Sequence, residues 1–378
     1  MRSFRPLLIF WLTLLTVLAA TAGVLHYLGP PRPLQPPSQD PAKPAQGDNA
    51  QGDKVPVPPQ PVASSAAPSP ASPPMAAPPA PPVAAPEIAI PEPDASMQEP
   101  AVSLPGRMLP KIADNGRTPA QAFAAAFDPT ERHPRIALVI DGIGLDRSQS
   151  LAVLRTTPRT MDIALSAYAM PQVLDSLAEE ARRQGRECLV SIPMEPSGFP
   201  AAEEGDKALQ TGANPEQNRQ NLEWLLSNIQ GCVGATGGSD GMAGERFAES
   251  RQAFGDVLSA LAHRGLIYLD PRPGAPPPDD PPEDPGSAQT LPRVVDVVVD
   301  RPTSPDEPAS AEAIDRNLAT LEKLAAEHGS AIGLAGPPTP VLLERLAVWA
   351  NGLPARHLVL APLTAIPAPK PPAQDAPQ

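Results

Sequence analysis

Eight short apolar runs, separated by stretches with helical periodicity, govern what the second half of this chain can become. The runs are 136–141, 161–167, 187–193, 232–236, 266–270, 294–300, 331–335 and 357–363. Apolar runs without polar alternation suit strands buried on both faces. The intervals read as helices. Val173, Leu174, Leu177, Ala178 and Ala181 make one stripe, closed by Gly185. Asn214-Pro215-Glu216-Gln217 supplies an N-cap, an N1 proline and a capping-box Gln ahead of Leu222, Leu225, Leu226 and Ile229. Phe247, Phe254, Val257, Leu258 and Leu261 mark a third helix. Leu318, Leu321 and Leu324 mark a fourth, and Leu342, Leu343, Leu346 and Trp349 a fifth. Strand–helix alternation of this kind predicts an α/β fold with a parallel sheet, open or closed into a (β/α) barrel. Its ligand site is then expected at the C-terminal ends of the strands.

The first third cannot fold this way. Between residues 30 and 110, 25 of 81 residues are proline, and no aromatic residue occurs from 28 through 122. Such a stretch buries too little apolar surface to offset its ordering entropy. The composition predicts a disordered Pro/Ala-rich linker over 30–130, an extended spacer of about 3.1 Å per residue. Ahead of it, residues 7–28 form an apolar run of 22 behind Arg2 and Arg5. That length spans a hydrocarbon core, and the arginines hold the first residues in the cytoplasm. Residues 1–29 are therefore expected to be a transmembrane anchor in the inner membrane, single-pass, with the C-terminal domain in the periplasm. Ala20-Thr21-Ala22 keeps a cleaved signal peptide open as the alternative. The domain itself is expected over 131–367, with a disordered tail at 368–378.

A formal net charge of −13 and the lack of any basic stripe argue against nucleic-acid binding. Two cysteines, Cys188 and Cys232, are too few for a disulfide framework or a four-thiolate zinc site. They open consecutive strands and could bridge in an oxidising compartment.

Four segments resemble the divergent polysaccharide deacetylase family, relatives of the NodB-like carbohydrate esterases. Ile136-Ala-Leu-Val-Ile-Asp141-Gly142-Ile-Gly144 is similar to the family's first strand, which ends in paired aspartates. Val190-Ser191-Ile192-Pro193-Met194-Glu195-Pro196 resembles its His-x-Pro-Met-Glu-Pro segment. Gly231-Cys-Val-Gly234 with the loop 237–242 falls where the family carries Asn-His-Met-Gly-Ser, and Leu266-Ile-Tyr-Leu-Asp270 resembles its Leu-Asp-Ser strand. The resemblance implies a (β/α) barrel of the glycoside hydrolase/deacetylase type. It also implies a divalent metal held by an aspartate and histidines beside a second, basic aspartate.

This chain departs from that pattern where the chemistry would sit. The second aspartate is Gly142, the histidine before Pro-Met-Glu-Pro is Ser191, and the Asn-His-Met run reads Thr236-Gly237-Gly238-Ser239-Asp240. The family's Gly-His-Pro appears as Ala335-Gly336-Pro337. The five histidines, His26, His133, His263, His328 and His357, all fall away from strand C-termini. No metal cofactor is therefore expected. Asp141, Glu195, Asp240, Asp270 and Asp300 end or follow strands, and an all-oxygen set would suit Mg²⁺ or Ca²⁺. The simpler expectation is that Glu195 and Asp270 satisfy loop amides or pair with Arg246 and Arg272. No G-x-S-x-G elbow and no Ser–His pairing supports a nucleophilic route. The expected site comprises Asp141 at the base-like position, with Ser191, Glu195, Asp270 and Arg272 lining a cleft. The reading that follows is a catalytically degenerate deacetylase-like domain whose partner is an envelope glycan or a peptidoglycan-associated protein. An active esterase using Asp141 and a non-standard metal site, or a regulator of peptidoglycan hydrolases, are the alternatives.

Overall fold

The computed structural model describes residues 89–201, 204–238, 244–276, 292–302 and 310–367. The anchor, the linker up to residue 88, the tail 368–378, Ser239 and Asp240 lie outside them. Among the described residues no helix is long and apolar enough to cross a membrane.

The apolar runs become parallel strands: β3 (Arg135–Ile143), β4 (Asp162–Ser166), β5 (Cys188–Ser191), β6 (Gly234–Thr236), β7 (Ile267–Asp270) and β10 (Ser330–Ala335). They follow a short antiparallel hairpin of β1 (Gln98–Pro100) and β2 (Met108–Pro110). The order along the sheet is β7-β6-β5-β4-β3-β10. The run expected over 294–300 is bent into two pieces, β8 (Arg293–Val294) and β9 (Val297–Val298). β8 pairs with β7 and β9 pairs with β10, so one segment touches both edges and brings the sheet round on itself. The eighth expected strand shrinks to β11 (Val359–Leu360), paired with Arg135 and Ile136 at the start of β3. Two facts limit it: Pro354 and Pro362 bracket it and lack ladder donors, and β4 takes up β3 pairing from Val139 onward.

Alternate residues of each strand face inward. Val139, Ala164, Leu189, Ile267, Leu269, Val298 and Leu334 meet in one interior cluster, which fills the barrel. The opposite faces pack under the helices: α2 (Arg147–Thr156), α3 (Pro171–Arg183), α4 (Pro215–Ser227), α5 (Glu245–Glu249), α6 (Arg251–His263), α7 (Ala311–His328) and α8 (Pro340–Gly352), with a short α1 (Pro119–Ala122) preceding β3. The stripe Val173, Leu174, Leu177, Ala178 and Ala181 is buried as its spacing predicts, and Asn214 caps α4 through the Gln217 amide at 2.7 Å. The helix expected from Phe247 through Leu261 is broken at Ser250 into α5 and α6. Helix α2, capped by Asp146, belongs to a stretch that the periodicity left unassigned.

The last part of the stretch expected as linker over 30–130 is built into the fold. Residues 89–130 carry the hairpin, α1 and buried Ile90, Met97, Leu109 and Phe123. Phe123 joins the interior cluster at the strands' N-terminal end, a socket that no local pattern reveals. That end is a floor, fastened by buried carboxylates. Glu187 accepts the Ala125 amide at 2.9 Å and the Thr364 amide at 3.1 Å, and Asp162 accepts the Leu363 amide at 2.7 Å. Arg293 donates to the Ile366 carbonyl at 3.1 Å. The segments around Ala125 and around Leu363–Ile366 are thus tied to one face. Burial pushes the Asp162 and Glu187 carboxyls up and brings the Arg186 and Arg293 guanidiniums down to about 10. Cys188 and Cys232 are joined by a disulfide, their Cα atoms 4.7 Å apart.

Candidate functional site at the barrel mouth

At the opposite end β3 delivers Asp141, 6% exposed, into the barrel mouth. Its carboxylate accepts a short hydrogen bond from the Ser191 hydroxyl at the end of β5. Parallel register aligns Ser166, Ser191 and Thr236 across β4, β5 and β6, so their side chains share one face. Ser166 accepts the Tyr168 amide at 3.4 Å. Thr236 is fully buried, and its hydroxyl oxygen has no hydrogen-bond partner.

Asp300, just after β9, completes the mouth from the other side. Its Oδ2 accepts the Gly336 amide at 3.1 Å, while Oδ1 is enclosed without a partner. Burial pushes the Asp300 carboxyl up to about 6, and the charge of Asp141 adds to the rise. Gly336 has φ +132, and a Cβ there would lie 2.5 Å from the Asp141 carbonyl oxygen. Only glycine lets the two chain segments meet so closely. Asp300 and Thr236 were not among the cleft residues expected from the sequence. The strand-end position of Asp300 was visible there, but its partner Gly336 was not.

The remaining expected residues form separate pairs on the rim. Glu195, 3% exposed, accepts the amide and hydroxyl of Thr211, each at 2.6 Å, and pairs with Arg246 at 2.8 Å. Asp270 holds Arg272 through Nε at 2.9 Å and Nη2 at 2.6 Å, and accepts its amide at 3.0 Å. The Arg272 guanidinium lies 5.3 Å from the Phe254 ring centroid. The structure brings Asp141 and Ser191 together, while both rim carboxylates are spent on arginines and loop donors. Tyr168, 37% exposed, leaves β4 at the mouth with its ring 6.0 Å from Trp224, and its hydroxyl accepts the Lys207 amide at 3.0 Å.

The donor set does not suit the metal that the resemblance implies. Among the described residues no three His, Cys, Asp or Glu side chains gather to hold an ion. His133 stacks on His357 at 5.9 Å, beside the N-terminal ends of β3 and β11. His263 and His328 close α6 and α7, and the His263 ring lies 2.7 Å from the Ser259 carbonyl. A zinc-type site needs imidazole or thiolate at the open end, and the described mouth offers hydroxyls and carboxyls.

The family model for divergent polysaccharide deacetylases matches residues 138–366. The chain belongs to that family. Among solved structures, an uncharacterized protein from Agrobacterium tumefaciens is 24% identical with a TM-score of 0.58, covering 68% of this chain and 99% of its own. That likeness supports the fold. The catalytic domain of a peptidoglycan N-acetylglucosamine deacetylase from Eubacterium rectale is 17% identical with a TM-score of 0.40, covering 64% of this chain and 93% of its own. No match was found among curated proteins.

Proposed function

We propose that this divergent polysaccharide deacetylase domain binds an envelope glycan, or a peptidoglycan-associated protein, without removing acetyl groups. The observation that carries the reading is the pairing of Asp141 with Ser191, which stands where the family has a histidine. Metal-dependent deacetylation requires a cation with an open position to polarise the acetyl carbonyl and acidify bound water. A carboxylate engaged by a hydroxyl supplies neither. Tyr168, partly exposed beside Trp224, puts aromatic surface near the mouth that suits contact with a sugar ring.

The same reading places the domain in the periplasm, held to the inner membrane through residues 7–28. The Cys188–Cys232 bond favours an oxidising compartment. The long Pro/Ala-rich segment would give the domain reach, which also suits a regulator of peptidoglycan hydrolases.

The rival is an active esterase that uses Asp141 with a non-standard metal site, and Asp300 beside Asp141 is the observation that favours it. Metal analysis and acetate release from an acetylated glycan, measured on the full chain, separate the two. Stoichiometric divalent metal, with acetate release abolished in Asp141→Ala, overturns the binding reading. Absence of both from folded protein that retains glycan supports it.

A further inference from the structure

The barrel mouth contains two polar atoms whose needs the protein leaves unmet. Thr236 Oγ1 and Asp300 Oδ1 are both enclosed without a hydrogen-bond partner. Buried polar atoms of this kind cost stability unless something else satisfies them. Thr236 shares the face of Ser191, which donates to Asp141, and Asp300 holds the Gly336 amide that packs on the Asp141 backbone. The charges acting on Asp300 are Asp141, which opposes its ionisation, and its chain neighbour Arg301, which acts weakly in its favour. Two carboxyl groups held this close in a partly dry site are relieved by added positive charge.

We propose that the mouth is a receptor for a primary ammonium group, with Asp300, Asp141 and Thr236 as acceptors, and that it selects a deacetylated amino sugar over the acetylated one. This rests on the glycan-binding reading above. An ammonium carries three donors and no acceptor, which matches three oxygen acceptors in number and sign. Its hydrogen bonds to carboxylates are charge-assisted. An acetamido group presents one donor and turns a carbonyl oxygen toward the carboxylates. A hard divalent cation takes six to eight oxygens for calcium or near-ideal octahedral geometry for magnesium. The described residues gather fewer than three metal-binding side chains at any one point. The mouth would thus retain the product class of a deacetylase rather than its substrate.

Calorimetry on the full chain in detergent near neutral pH tests this, with tetramers of glucosamine and of N-acetylglucosamine as probes. The glucosamine tetramer is expected to bind at least about tenfold tighter. Asp300→Asn and Thr236→Val should each lower the glucosamine tetramer's affinity at least about fivefold and shrink the ratio of the two affinities, which is the readout. Equal binding of the two tetramers by the wild type overturns this inference and leaves the glycan reading standing. Binding of neither overturns both. Retention of magnesium or calcium, lost in Asp300→Asn, overturns it in favour of a metal site. Circular dichroism verifies folding, and Thr236→Val carries the test if Asp300→Asn fails to fold.

Discussion

Ser191, at the end of β5, donates its hydroxyl proton to Asp141, at the end of β3, across the intervening β4. Hydroxyl and carboxylate come from strands that are not neighbours, so the contact exists only once the sheet has curled. Ser191→Ala leaves a nearly buried carboxylate one donor short. The variant is expected to lose on the order of 1–2 kcal/mol in urea denaturation. An unchanged midpoint would show that water or another group replaces the hydroxyl.

Restoring the family's second aspartate should not restore a metal. Gly142 has φ +78, and a Cβ there would lie 3.0 Å from Pro337 Cβ. Gly142→Asp, combined with Ser191→His, is expected to cost about 1–3 kcal/mol for the strained backbone alone. The double variant should emerge from zinc loading and dialysis with no stoichiometric metal. Retained zinc would mean that the β3–β10 junction yields more readily than its packing implies.

The Cys188–Cys232 bond closes a sequence separation of 44. Chain-entropy reasoning assigns such a loop about 2–4 kcal/mol of stability. Denaturation with and without reductant should separate by that amount, and Cys188→Ser with Cys232→Ser should match the reduced protein. Identical curves, with two titratable thiols in each, would show that the bond does not form in the isolated protein.

Asp300 gives the stability a pH dependence of known sign. Burial first, and Asp141 second, push its carboxyl up to about 6 from an ordinary 3.8. Between those values the native state keeps a proton that the unfolded chain has released. The stabilisation is therefore complete below pH 3.8 and is lost as the pH rises through about 6. Its size is on the order of 2 kcal/mol, trimmed by the part of the group that water reaches. Subtracting the Asp300→Asn curve from the wild type isolates it from Asp162 and Glu187, whose carboxyls are also pushed up. A flat difference curve would place the Asp300 carboxyl in an ordinary aqueous setting.

Glu187 ties the segment around Ala125 and the segment around Thr364 to the same strand end. Glu187→Ala strips both amides of their acceptor, with an expected cost of about 2–4 kcal/mol. Limited proteolysis should then cut residues 361–367 faster than in the wild type. Equal rates would show that the apolar contacts of Leu363 and Ile366 suffice to hold the floor.

What could be read beforehand divides along physical lines. The α3 stripe and the α4 cap are local patterns, legible because each residue's partner lies within a few positions. The strands were legible as apolar runs, but their pairing was not: the split at 293–298 depends on β7 and β10 meeting the same segment. Ile90, Met97 and Phe123 lie among prolines without any period, and they are buried only because the barrel floor offers a socket. At the mouth, Asp141 could be placed from its strand end and its resemblance to the family segment. The roles of Thr236 and Asp300 could not, since each depends on register or on a glycine amide 36 residues away.

The fastenings of the floor have a consequence for the mouth. Asp162, Glu187 and Arg293 fasten the segments around Ala125 and Leu363 to the end of the barrel opposite Asp141, Ser191 and Gly336. The mouth loops do not have to hold the flanking segments in place. Exchanging imidazole for hydroxyl there alters what the vessel can hold without breaching the vessel, and the same tolerance makes this rim a natural place to graft a different recognition chemistry.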